Sequence, residues 1–109
     1  MARKVVWAES AWRDLEQVAD YIAQDSPAYA AAFVGRIRER ASTLDRLAHR
    51  SRIVPELGEP NLRELLIGNY RLLYEIHDET IAILALIHGA RDLAALWVRE
   101  ARSEREDPF

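Results

Sequence analysis

Apolar residues change their spacing repeatedly along the chain, and each change predicts an element. "RKVVWA", near the start, sets valines and a tryptophan in direct succession, as a short strand does. The period then becomes helical. Trp12, Leu15, Val18, Ala19 and Ile22 recur on one face, with Ser10 as the expected N-cap. Asp25-Ser26-Pro27 breaks and restarts this pattern, because Ser26 is a capping residue and Pro27 suits the first helical position. A second helix is predicted to carry Phe33, Val34, Ile37, Ala41, Leu44 and Leu47 on one face. The short break between the two makes them an antiparallel hairpin.

"AHRSRIVPELGEP" is polar and holds Pro55, Gly58 and Pro60, so it reads as a loop with room for a short extended piece. Three strands are predicted after it: Asn61 to Ile67, Tyr70 to Ile76 and Thr80 to His88. Gly68-Asn69 is a two-residue hairpin signal, and His77-Asp78-Glu79 turns the second strand into the third. These tight turns imply an antiparallel meander. "IAILALI" is apolar at every position, which predicts a central strand covered on both faces. Leu93, Leu96, Trp97 and Ala101 then share the face of a short C-terminal helix that ends before Asp107-Pro108. The expected fold is α+β in one domain, residues 1–109, with a helical hairpin packed on a small, mostly antiparallel sheet.

Composition narrows the function. The chain has no cysteine, which excludes a disulfide frame or a thiolate metal site. No apolar run is long enough to span a bilayer, and "MARKVVWAES" lacks a signal core, so a soluble cytoplasmic protein is expected. A net charge of −3 argues against sequence-blind binding to nucleic acid. The charge is uneven. Residues 36–52 hold six arginines against Glu39 and Asp45, whereas residues 53–80 hold Arg63 and Arg71 against six acids. There is no Gly-rich phosphate loop, no GxSxG, and no metal-ligand spacing among His49, His77 and His88, so neither metal nor cofactor is expected.

What stands out is "LLIGNYRLLYEIHDETIAILALIHGARD", in which Arg71 interrupts a greasy strand and Arg91 closes the segment. Alternation sends Tyr70, Leu72, Tyr74 and Ile76 toward the hairpin, and Arg71, Leu73 and Glu75 to the opposite face. A sheltered cation needs a carboxylate or a ligand. Two readings therefore stand for Arg71: a salt bridge to Glu64 or Glu75, or one half of an anion-binding cleft shared with Arg91. "RIRER", with Arg36 and Arg40, reads as a wet helix face or as a grip for an acidic partner. Leu93, Leu96 and Trp97 form an apolar stripe suited to a groove in this chain or another.

The segments "DLEQVADYIAQDSPAYAAAFVGRI", "VPELGEPNLRELLIGNYRLLYEI" and "ILALIHGARDL" together resemble the toxins of type II toxin–antitoxin modules, the RelE/ParE superfamily. The run "GNYRLLY" followed by a greasy strand and "HGAR" carries most of that resemblance. It implies a helical hairpin on a small twisted sheet, and a cognate antitoxin whose flexible tail folds onto the toxin, giving a hetero-oligomer. Arg36, Arg40, Arg91, Leu93, Leu96 and Trp97 are the expected partner-contact residues. Two activities compete within the superfamily. RelE-like members cut mRNA on the ribosome with a cluster of cations. In that case Arg71 and Arg91 would serve catalysis, with Trp97 standing where the family has a tyrosine. The lysines of that set are missing here. ParE-like members instead bind and poison DNA gyrase without catalysis, and the match to them is nearer. A third expectation is an inactive member that only binds antitoxin.

Overall fold

The computed structural model describes residues 2–89. The elements in chain order are β1 (Lys4–Trp7), α1 (Glu9–Ala23), α2 (Pro27–Ser42), α3 (Leu44–Leu47), a 3₁₀ turn (Ala48–Arg50), β2 (Arg52–Ile53), β3 (Leu62–Ile67), β4 (Tyr70–Ile76) and β5 (Thr80–His88). The strands form one sheet in the order β1-β5-β4-β3-β2. All neighbours are antiparallel except β1, which lies parallel to β5. The expected α+β architecture is therefore present, and β2 is the short extended piece of the polar loop. The expected C-terminal helix lies outside the described residues.

Helix starts and stops follow local chemistry. At α2, Ser26 Oγ accepts from the Tyr29 N–H at 3.1 Å, and Pro27 opens the helix. At α1 the N-cap is Ala8, not Ser10 as the sequence pattern suggested. Ser10 sits inside the first turn, where its hydroxyl donates to the Leu84 carbonyl of the sheet at 3.0 Å instead of capping the helix. The second helix also ends earlier than its apolar stripe predicts. Ser42 and Thr43 hydroxyls donate back to Glu39 and Arg40 carbonyls, a competing bond pattern, and the short helix α3 follows from Leu44. Leu47 consequently ends exposed while Leu44 is buried.

Two apolar clusters sandwich the sheet. The larger joins Leu15, Ile37 and Ala41 of the helices to Leu72, Tyr74, Ile81 and Ile83 of the sheet. The smaller lies on the other face, where Val54 and Leu57 cover Leu62, Leu73, Ala85 and Ile87. This second layer explains why β5 is apolar at every position from Ile81 to Ile87. A bulge reinforces it: Leu73 pairs with Ala85 but Tyr74 pairs with Ile83, leaving Leu84 as the extra residue. Leu84 and Ala85 both join the smaller cluster, while Ile83 and Leu86 face the helices. β1 stops opposite Ile83, so helix α1 serves the next stretch of β5. Besides the Ser10 bond, the Leu86 N–H donates to Asp14 Oδ2 at 3.0 Å.

Tyr74 ties the layers together. Its ring is fully buried, and its hydroxyl donates to the Ala48 carbonyl of the 3₁₀ turn. Burial raises its pKa. Tyr74→Phe keeps the ring but leaves a buried carbonyl without this partner, so chemical denaturation should show a loss of about 1 kcal/mol. An unchanged midpoint would mean that the bond contributes nothing net.

Candidate functional site

The face of the sheet away from the helices carries an ionic cluster set by strand register. Glu64 pairs with Leu73 across β3–β4, and Leu66 pairs with Arg71, so Glu64 and Arg71 are diagonal neighbours on one face. Arg52 lies directly opposite Glu64 across β2–β3. The fourth member comes from the loop before β3. There the Leu57 and Gly58 N–H groups both donate to the Val54 carbonyl, and Gly58 takes a positive φ of 66°. That tight turn presents Glu56 to Arg71.

The guanidinium of Arg71 uses two edges. Nε donates to Glu64 Oε2 at 3.0 Å and Nη2 donates to Glu64 Oε1. On the second edge, Nη1 and Nη2 donate to Glu56 Oε2 and Oε1 at 2.8 and 2.7 Å. Arg52 adds two bonds to Glu64 Oε2, at 3.0 and 2.8 Å. Both contacts of Arg71 are thus the planar two-point kind for which arginine is suited. Exposure grades outward through the cluster: the side chain of Glu64 is 0% exposed, Arg71 7%, Glu56 26% and Arg52 55%. Two arginines and two glutamates sum to zero charge.

Each partner fixes the other's ionisation. The Arg71 guanidinium holds the Glu56 carboxyl below its ordinary value of 4.5. Glu56 first, and Glu64 second, hold Arg71 above the usual arginine range. Gly89 completes the packing, since a Cβ there would lie 3.7 Å from Arg71 Cγ and 3.2 Å from the Asn69 carbonyl oxygen.

The other residues singled out by sequence are placed elsewhere or lie outside the described residues. Arg36 and Arg40 belong to α2, on the opposite side of the sheet from Arg71. Neither pairs with a carboxylate among the described residues. Arg38, between them, stands 5.7 Å from the ring of Trp12, which stacks on Trp7 at 4.7 Å. His88 meets Tyr70 edge-on at 5.4 Å. Glu75, the alternative partner for Arg71, instead contacts His77 at 2.9 Å. Arg91, Leu93, Leu96 and Trp97 lie outside the described residues. Sequence reasoning missed Glu56 and Arg52. Alternation finds partners on neighbouring strands, and Glu56 arrives from a loop. No group of three or more His, Asp or Glu among the described residues is arranged to hold a metal ion. No helix among them is long and apolar enough to cross a membrane.

Removing Arg71 strands Glu64 in the interior, so Arg71→Ala should lower unfolding free energy by roughly 3–5 kcal/mol, the range for breaking a buried pair. An unchanged melting temperature would overturn the structural role. Acid should act through Glu56. Its folded carboxyl binds protons less readily than its unfolded one, so its contribution is present above 4.5 and lost as pH falls through the folded value. Stability measured from neutral pH downward should therefore decline less steeply in Glu56→Gln than in the parent chain.

Comparisons with known proteins place this fold. The family model described as "ParE toxin of type II toxin-antitoxin system, parDE" matches residues 5–93. Toxin RelE2 of Caulobacter vibrioides is 34% identical over 89 residues, covering 81% of this chain and 97% of that protein. The chromosomal ParDE system of P. aeruginosa contains a chain with TM-score 0.68 and 22% identity, covering 80% of this chain and 96% of that one. The toxin–antitoxin complex RelBE2 of Mycobacterium tuberculosis gives TM-score 0.58 at 28% identity, covering 81% and 99%. E. coli toxin RelE, as a double arginine-to-alanine mutant in the free state, gives 0.58 at 13% identity, covering 97% and 99%. The helical hairpin on a five-stranded sheet and these matches agree: the chain belongs to the ParE toxin family of type II toxin–antitoxin systems, within the RelE/ParE superfamily.

Proposed function

We propose that this toxin acts as ParE-like members do, by binding and inhibiting DNA gyrase, and that a cognate antitoxin neutralises it. One observation carries the preference for binding over cleavage. Both bidentate edges of Arg71 are occupied by Glu64 and Glu56, and the cluster around it is neutral. A nuclease acting on a phosphodiester needs cationic donors aimed at the charge that develops in the transition state. Arg71 in this arrangement aims its donors at the chain's own carboxylates. The ParE family match supports the same choice.

The antitoxin surface is assigned to the hairpin and the C-terminal segment. Arg36 and Arg40 supply positive charge on α2 that no described carboxylate pairs, suited to an acidic partner segment. Leu93, Leu96 and Trp97 supply an apolar stripe in the sequence. RelBE2 and ParDE name toxin–antitoxin assemblies of similar chains, which supports a protein partner for this one.

Expression of the chain alone in a bacterial host tests the target. Growth arrest with a DNA-damage response, filamentous cells and intact transcripts is expected. Transcripts cut within codons would overturn the reading in favour of a ribosome-dependent endonuclease, and normal growth would leave an inactive antitoxin binder. For the partner surface, Arg36→Ala with Arg40→Ala should slow antitoxin association about tenfold at low salt and less at high salt, as charge steering predicts. Salt-independent kinetics, unchanged by the substitutions, would remove those arginines from the interface.

A further inference from the structure

The two edges of the sheet differ. At one, β2 is two residues long and its arginine is tied to Glu64. At the other, β1 lies against β5, with the Lys4 and Ala8 N–H groups donating to the Glu79 and Ile83 carbonyls. Backbone direction alternates along a strand, so the N–H and C=O groups of Val5 and Trp7 point away from β5. No described residue bonds them. The open stretch is bounded at both ends. Before it, the Arg3 N–H donates to the Asp45 carbonyl; after it, α1 starts at Glu9. Val5 and Trp7 pack toward the helices, so Val6 between them turns its exposed side chain to the opposite face.

We propose that β1 is a self-association edge, on which a second copy of this chain pairs its own β1, antiparallel, about a two-fold axis at Val6. The edge is self-complementary. In that register Val5 of each copy faces Trp7 of the other, each such pair exchanges N–H···O=C bonds in both directions, and every outward group of both copies is used. Sliding one copy by two residues leaves half of those groups unused. Charge selects the same register: Arg3 falls opposite Glu9 of the second copy, and Lys4 opposite its Ala8, so no basic residue meets another. Glu9 is exposed, and among the described residues its ion-pair partner is Arg13, at 3.5 Å. Val6 meets its own equivalent at the axis, in the closer, non-hydrogen-bonded kind of pair, and the two valines cover each other's apolar surface. The product is one continuous sheet through both copies, which removes an exposed strand edge from each. The inference does not rest on gyrase being the target.

The test reads both mass and register in the full chain. By sedimentation equilibrium the parent should move from the mass of one chain toward that of two as its concentration rises. Val6→Lys places like charges at the axis and should weaken the dimer by about tenfold or more, with an unchanged melting temperature as the check on folding. Register is read by cross-linking, since the chain has no cysteine of its own. Val6→Cys should form a disulfide-linked dimer under mild oxidation, because a non-hydrogen-bonded pair sets the two Cα atoms within disulfide reach. Lys4→Cys should not, because its equivalent in the second copy lies about 13 Å further along the strand. The proposal is overturned if the parent keeps the mass of one chain at every concentration, as an edge reserved for another protein's strand would require. It is equally overturned if folded Val6→Lys dimerises as the parent does, or if Lys4→Cys cross-links as readily as Val6→Cys.

Discussion

A guanidinium and a carboxylate leave water at large cost when taken alone, and Arg71 and Glu64 leave it together. Their strand register makes that possible. Gly68 and Asn69 close a two-residue turn, Ile67 then pairs with Tyr70, and this alignment sets Glu64 diagonal to Arg71. A slip of one residue would send one of the two charges into the apolar layer beneath the helices. The ion pair therefore acts as a register lock for the central hairpin, and everything around it is placed by that lock. Arg52 pins the edge strand, Glu56 pins the loop, and Gly89 leaves room for the close approach of the Asn69 carbonyl.

The same cluster shapes what the molecule can do. A cation sheltered in a sheet is an attractive tool for phosphate chemistry, but here it is neutralised from two sides. Arginines without a described carboxylate partner lie on the helical side instead, along α2. In the proposed reading, the two cation sets, separated by the thickness of a sheet, serve recognition of a macromolecular surface and not clamping of one small reacting group. The fold supports this division: the hairpin offers a charged outer face, while the opposite face is closed over by Val54, Leu57 and Glu56.

Much of this is legible in the sequence. Tyr70 to Ile76 and Thr80 to His88 are strands over the residues that their alternation and turns define. Ser26-Pro27 opens a helix by capping chemistry confined to a few residues. Glu64 is a partner for Arg71 that the sequence itself offers, because alternation and pairing reach that far. The misreadings share a cause. Ser10 has the composition of a cap yet bonds to Leu84, which is 74 positions away in sequence. Leu47 continues a helical stripe in sequence but is exposed, because Ser42 and Thr43 end α2 first.

The sequence by itself determined the class of each main element, the antiparallel meander, the sidedness of Arg71 and the two-sided burial of β5. Those features depend on side-chain period and turn residues, which act over a few positions. Only the tertiary structure decided that β1 runs parallel beside β5, that Leu84 is squeezed out as a bulge, and that Glu56 rather than Glu75 completes the arginine's shell. Each of these depends on where distant segments meet. A loop carboxylate, a strand edge and a buried guanidinium find one another through packing, and no local pattern in the chain records that meeting.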